Sequence, residues 1–458
     1  MKLLFASIQF DESAFFGRVA DSLRAAGHEP HHVTISRRAA GRLSRRGQPA
    51  RCLPELMGEV AVSDELAVEA RQLERRYAMP SLRDVYLTDP ACRGRSERWC
   101  IERTVRTFRA LETVFDDVEP DLIVPEVGSE TFRTAAWLIA RARGIPVFFL
   151  FFTIFPEPLM IHTDPHLGPI VPEDELRELT DAEQQRLDRW VAEFTAAKRS
   201  ILPHKVASVT PATLRDFARH VVVSLTVDRD NEYLRPRRFV VNTVVQRARA
   251  VTLRRLYEPV PADRPFVYFP LHVTDDFKVK RVTPHCVDQA YLIQQVADAL
   301  PQGHDLVLKE HPFSIGRNPV GWLRRILRRP NIRLVDPYQS SHELIERAVG
   351  VSVIGSTVGL EALLYGQRVL TLGQPYYAGY GATVDVDSFR EIREAVPAFL
   401  RFDPDPQTIA RFLGAAMRTT YPGAPIGVDG SPDNAAAVAS SIEKAIDTTL
   451  AAGGSRVG

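Results

Sequence analysis

The sequence predicts an α/β protein made of two consecutive doubly wound, Rossmann-like domains. Strand-like and helix-like segments alternate near the start of the chain, from "KLLFASI" onward. A second and stricter alternation begins at "FVYFPLHV" (266–273) and runs to "RVLTLG" (368–373). Between them, "PADRP" at 261–265 reads as a linker. Alternation of this kind is what parallel sheets covered by helices on both faces require. At 458 residues the chain is also too long for one ordinary domain.

The elements follow in order. "KLLFASI" is a buried strand, "SAFFGRVADSLRAAGH" an amphipathic helix that Gly27 can close, and "EPHHVTI" the next strand. Residues 37–110 are rich in Arg and poor in strand signal, and read as a mostly helical insertion. Its basic opening, "RRAAGRLSRRGQPAR", fits either a solvated loop or a contact with an anionic acceptor. "DLIVPEV" (121–127) and "PVFFLFF" (146–152) flank the helix "ETFRTAAWLIARARG" and complete a second βαβ unit. The apolar run "IPVFFLFFTIF" (145–155) is too short to span a membrane and reads as a central strand.

Residues 172–258 read as largely helical. In "LTDAEQQRLDRWVAEF", Thr180 can cap a helix and Glu183 can reach back to it. Arg235 to Arg255 holds seven arginines and no acid, which fits a solvated helix face or a surface facing phosphates or an anionic membrane. The expected division is therefore 1–260, a first Rossmann-like domain with the helical insertion and helical region, then 261–430, a second Rossmann-like domain, then 431–458, a C-terminal helix and tail.

Bulk composition excludes several classes. Apolar residues make up 45% and charged residues 25%, ordinary for a globular chain, and a net charge of +1 gives no reason to expect a nucleic-acid partner. Cys52, Cys92, Cys100 and Cys286 are scattered, with no spacing that suits a zinc ribbon or a redox dithiol. No metal site is expected. "MKLLFASIQF" lacks the long apolar region of a signal peptide, so a cytoplasmic protein, with peripheral contact to the inner membrane face as an option, is expected.

The chemistry-bearing residues cluster after three strands of the second half: "PLHVTDDFKV" (270–279), "KEHP" (309–312) and "GSTVGLE" (355–361). Ligands of open α/β sheets bind beyond the carboxyl ends of strands. Gly355 lets the backbone approach a ligand, and Ser356 and Thr357 add hydroxyls to the N–H groups of a new helix, where a phosphate is favoured. Glu361 lies one turn on, where a carboxylate can accept from a ribose diol. Pro312 biases His311 to extended geometry, and an imidazole there can donate to a phosphate oxygen. Lys309 shares His311's face of the strand, while Glu310 points the other way. Asp275 and Asp276 are adjacent carboxylates in a loop, open to either a turn or a chemical role.

These clusters together resemble the capsule polysaccharide biosynthesis family, including its retaining β-Kdo transferases, and more distantly the bacterial sialyl- and polysialyltransferases. The family pattern of a "PLQ…D" loop, "K-x-HP" and "STVGLEAL…LG…Y" appears here as "PLHVTDD", "KEHP" and "STVGLEALLYGQRVLTLGQPYY", in the same order. The resemblance is good over 265–385 and loose before it. It implies a GT-B glycosyltransferase with the donor in the second domain, His311, Ser356 and Thr357 on the nucleotide phosphate, and Asp276 as the nucleophile of retaining members. The family's Gln is His272 here, and Phe277-Lys278 replaces a small residue and an amide.

The resemblance also implies a nucleotide sugar as substrate, CMP-linked and of ulosonate type, with no cofactor. One donor phosphate needs no bridging metal. A glycan or lipid-linked acceptor is expected on the other side of the cleft, where Asp11, Glu12, Glu126 and Glu130 follow strands. Glu130 and Arg133 are spaced for a simple helical ion pair. Two other functions fit the same architecture: a UDP-sugar epimerase or glycerophosphate-type polymerase, and a non-catalytic glycan-binding or export-scaffold protein.

Overall fold

A computed structural model of the chain describes residues 1–198 and 211–454. Part of the region read as helical at 172–258, and the end of the 431–458 tail, lie outside the described residues.

The first sheet contains β1 (Lys2–Ser7), β2 (Glu29–Thr34), β3 (Ala50–Cys52) and β4 (Leu122–Pro125), all parallel, in the order β3-β2-β1-β4. Single parallel bridges, Ile123 to Val147 and Glu126 to Leu150, carry it on toward β5 (Phe149–Phe152). The second sheet has six parallel strands: β7 (Phe266–Leu271), β8 (Asp305–Glu310), β9 (Ile332–Val335), β10 (Gly350–Val353), β11 (Val369–Thr371) and β12 (Val384–Asp385). Its order is β12-β11-β10-β7-β8-β9. Chain order within it thus reads 3-2-1-4-5-6 from the β9 edge, the doubly wound dinucleotide-binding arrangement. Every strand of this sheet except the edge pair β12 and one residue of β9 is buried along its length, as expected when helices cover both faces. Two Rossmann-like domains in series define a GT-B-like fold.

Most of 37–110 is helical, but it also supplies β3, an edge strand too short for a period-two pattern to register. The run at 145–155 forms β5 and has strand neighbours on both sides. β5 pairs on its far side with β6 (Leu159–His162), and that pairing is antiparallel. The run is apolar throughout because its residues serve two cores. Phe149 and Leu150 pack within the first domain, whereas Phe151, Ile154 and Phe155 join Tyr268, Val353, Leu360 and Tyr376 of the second.

The chain end returns to the start. Helix Pro432–Gly454 lays Val438, Ala439 and Ile442 against Phe15, Phe16 and Val19 of helix Phe10–Ala25. Helix Asp181–Ala197 has the expected capping box between Thr180 and Glu183, and it buries Leu187 and Trp190 in the core shared by both domains. Among the described residues, no helix is long and apolar enough to cross a membrane.

Candidate functional site

Strand order reverses between β7 and β10, and the carboxyl ends of those strands and of β8 open onto a cavity of about 740 Å³. Its lining includes His272, Asp276, Lys278, Lys309, His311, Ser356, Thr357 and Glu361 from the second domain, and Phe151 and Phe152 from the first. The volume is that of an ordinary small-ligand site.

β8 ends in "KEHP", and its pleat separates neighbours onto opposite faces. Lys309 faces the cavity, is buried, and donates to the Gln339 carbonyl at 3.1 Å. Burial pulls its ammonium down to about 8, against the opposing pull of Glu361 and Asp336. Glu310 faces away, where Asn318 and Tyr257 donate to its carboxylate at 3.1 and 3.4 Å. His311 follows, extended at φ −69° and ψ 139°, with Pro312 opening a short 3-10 turn. Its Nδ1 accepts from the Phe313 N–H at 3.2 Å, and its ring stacks on Phe313 at 5.2 Å. A neutral imidazole with an accepting Nδ1 carries its proton on Nε2.

The third cluster opens helix Thr357–Leu364. Ser356 is its N-cap and accepts from the Val358 N–H at 3.3 Å. The Tyr377 hydroxyl, beneath, donates to the Ser356 carbonyl. Gly359 is required here, because any Cβ would strike the Tyr377 ring. A Cβ on Gly355 would meet no protein atom, so close approach from the open side is the reason for glycine that survives there. Thr357 Oγ1 sits 3.4 Å from Glu361 Oε1. Burial raises the Glu361 carboxyl to about 7, with Lys309 and Thr357 drawing it back.

The loop after β7 separates its two aspartates. Asp276 lines the cavity and accepts from the Lys278 N–H at 3.0 Å. Asp275 turns aside into ion pairs with Lys280, at 2.6 Å, and with Arg93 of the first domain. Its place among the catalytic candidates is thereby corrected: its charge is committed to tying the loop to the other domain. His272 is buried, its backbone is locked to the Gln289 amide at 3.1 and 3.2 Å, and burial lowers its ring to about 4. It is a neutral group whose Nε2 has no hydrogen-bond partner among the described residues.

Lys278 escaped the sequence reading, which noted it as a difference alone. It lines the same cavity, 5.0 Å above the Phe151 ring and 3.5 Å from the Gly355 carbonyl, and burial lowers its ammonium pKa. Ser340 and His342 also reach the cavity. They open helix Ser341–Arg347 directly after β9, the same strand-to-helix signature as Ser356-Thr357.

The first-domain carboxylates form a different kind of group, and none of the four lines the cavity. Asp11 is exposed in the first turn of helix Phe10–Ala25. Glu12 accepts from the Ile8 and Gln9 N–H groups, at 3.1 and 3.3 Å, and pairs with Arg133 at 3.0 Å. Glu130 makes the anticipated pair with Arg133 at 3.1 Å. Glu126 is half-buried beside them; burial and the Glu12 charge raise its carboxyl to about 8. Among the described residues, no group of three or more His, Cys, Asp or Glu side chains is arranged to hold a metal ion.

Residues 175–398, just under half of the chain, match the family described as "Capsule polysaccharide biosynthesis protein". Protein FixF of Sinorhizobium fredii is 30% identical over 167 residues, covering 35% of this chain and 39% of FixF. The capsule polysaccharide modification protein LipA of Neisseria meningitidis serogroup B is 27% identical over 127 residues, covering 27% of this chain and 18% of LipA. The chain thus spans about two fifths of one curated relative and under one fifth of the other. Among solved structures, the beta Kdo 2,4 transferase of Thermosulfurimonas dismutans KpsC overlaps 64% of this chain and 79% of its own, at 15% identity and a TM-score of 0.39.

Proposed function

We propose that this chain is a glycosyltransferase that moves a sugar from a nucleotide-activated donor to a glycan or lipid-linked acceptor in the synthesis of a surface or capsular polysaccharide. The observation that carries it is the gathering of His311, Lys309, Ser356, Thr357 and Asp276 around one cavity at the strand-order reversal. The match of residues 175–398 to the capsule polysaccharide biosynthesis family supports the same reading.

In this reading the donor phosphate sits at the N-terminus of helix Thr357–Leu364, within reach of Ser356, the His311 ring and the Lys309 ammonium. These groups oppose the negative charge that builds on the departing nucleotide, and the Nε2 proton of His311 is held ready for its oxygen. Glu361 takes the ribose side. Asp276 is the carboxylate offered for attack on the anomeric carbon: its oxygen forms the new C–O bond as the phosphate–sugar bond breaks, and an acceptor hydroxyl later displaces it and gives up its proton to solvent water. A CMP-linked ulosonate is the donor, and with one phosphate it calls for no metal. The acceptor approaches from the first domain, with the protein in peripheral contact with the inner face of the membrane.

Thermal stability against CMP, CDP, UDP and GDP tests this. A nucleotide at 100 times its dissociation constant stabilises by about 2.7 kcal/mol. A CMP-selective rise that His311→Ala removes is expected. A UDP-selective rise would replace the donor class and favour an epimerase, and no rise with any nucleotide would overturn the transferase reading.

A further inference from the structure

Nine of the sixteen large apolar side chains exposed among the described residues fall between Val222 and Val251. Eight of them belong to two helices, Pro211–Thr226 and Pro236–Leu253, joined through the stacked rings of Phe217 and Phe239 at 5.4 Å, and Val227 directly follows the first. On the second helix Val240, Val244 and Val251 are 44%, 62% and 66% exposed. Spacings of four and eleven residues put them on one stripe of a 3.6-residue helix. Arg247 borders the stripe on one side and Arg237 on the other, with Arg254 and Arg255 exposed at its end.

The opposite face of this helix is anchored. Arg238 donates to the Pro90 carbonyl at 3.1 Å, Gln246 to the Ile315 carbonyl at 2.9 Å, and Arg249 to the Arg317 carbonyl at 3.3 Å. The valines are therefore not core residues awaiting a better register. They are held outward by a helix that is fixed on its other side to both domains.

We propose that the outer face of these two helices is a docking surface for an anionic lipid bilayer. An apolar stripe flanked by arginines on a helix about 27 Å long suits the plane of a headgroup region, with valines among acyl chains and guanidinium groups on phosphates. Charge decides between this occupant and a second copy of the chain. Arg237, Arg247, Arg254 and Arg255 are exposed here and Arg235 to Arg255 holds no acid, so two such faces would repel each other, whereas an anionic surface neutralises them. Asp216 is the one acid on the exposed part of the first helix, beside Arg215 and Arg219.

The position gives the surface a use. The loop that follows His311 runs directly under this helix, where Gly316 is so close to the Gln246 carbonyl that a Cβ has no room. Arg317, one residue on, lines the cavity. Docking would bring the mouth of the cavity beside the bilayer, where a lipid-linked acceptor is found. This last step rests on the proposed function; the docking surface does not.

Flotation with phosphatidylcholine vesicles, with and without phosphatidylglycerol, tests it. Binding is expected to the anionic vesicles only, and to fall with added salt. Arg237→Gln, Arg247→Gln and Arg255→Gln together should weaken it by ~100-fold, at about five-fold per arginine. Val240→Glu with Val244→Glu should abolish it. Both variants change outward-facing side chains and should melt like the parent. Equal binding to neutral vesicles, no binding, or unaltered binding by the variants overturns the proposal. So does a concentration-dependent dimer that the glutamate variant loses. If vesicles bind but no nucleotide stabilises the protein, the docking surface stands and the transferase reading falls.

Discussion

The two domains place polar residues at the same topological position and spend them differently. At the carboxyl ends of β1 and β4, Glu12 and Glu130 are tied to Arg133, which also donates to the Val127 carbonyl at 2.9 Å. Beyond β7, β8 and β10, Lys309, His272, Asp276 and Thr357 face a cavity of about 740 Å³. The first group is closed on itself, whereas the second lines an open cavity. A strand end thus marks where a site can be, and the commitment of its side chains marks whether one is there. Glu126 stands between the two cases: its Oε1 has no partner among the described residues, and burial with the Glu12 charge favours its protonated form.

The largest expected effect breaks the closed group. Arg133→Met leaves Glu12, Glu126 and Glu130 without their cation and should cost ~3–5 kcal/mol in urea unfolding. A loss below ~1 kcal/mol would mean that the carboxylates are solvated and the contrast is overdrawn.

The second effect has the opposite sign and lies in the open group. The folded state raises Glu361 from 4.5 to about 7, so its native carboxyl holds a proton that the unfolded chain has released. The stability this contributes is complete below 4.5 and is lost as pH rises through about 7. Glu361→Gln should therefore be more stable than the parent at pH 8, by ~1–3 kcal/mol, and no more stable near pH 4. Equal melting at both pH values would place Glu361 in solvent.

The smallest effect concerns Lys309, which burial holds at about 8. A bound phosphate favours the ammonium, so affinity should be level below that value and fall as pH rises through it. About ten-fold is expected between pH 7 and 9, equivalent to ~1.4 kcal/mol. Lys309→Gln should bind more weakly and show a flat profile in titration calorimetry. A wild-type profile that stays flat would take Lys309 off the phosphate.

Much of the second domain was legible because each parallel strand is a short apolar run and each site residue follows one directly. His311, Ser356 and Glu361 needed nothing beyond strand and helix periodicity to be placed together. What stayed hidden depends on distant partners. Asp275 and Asp276 are indistinguishable in sequence, and their separation is set by Arg93, 182 residues away. The 145–155 run reads as an interior strand, but its apolar residues give no sign that they are shared between two domains. The docking of helix Pro432–Gly454 on the first helix was equally silent, since an amphipathic pattern names a face and not its partner. Lys278 was noticed for departing from a family pattern, yet only its place above Phe151 shows that it faces the ligand space.

The central claim is that the open group is built around a nucleotide phosphate, and the dissociation constant of CMP for His311→Ala tests it most directly. Loss of a hydrogen bond to a charged group costs ~1.5–3 kcal/mol, so calorimetry should show binding weakened by at least about ten-fold with the fold unchanged. CMP binding as tight as in the parent would contradict the account, because it would place the nucleotide away from the strand ends where this site has been built.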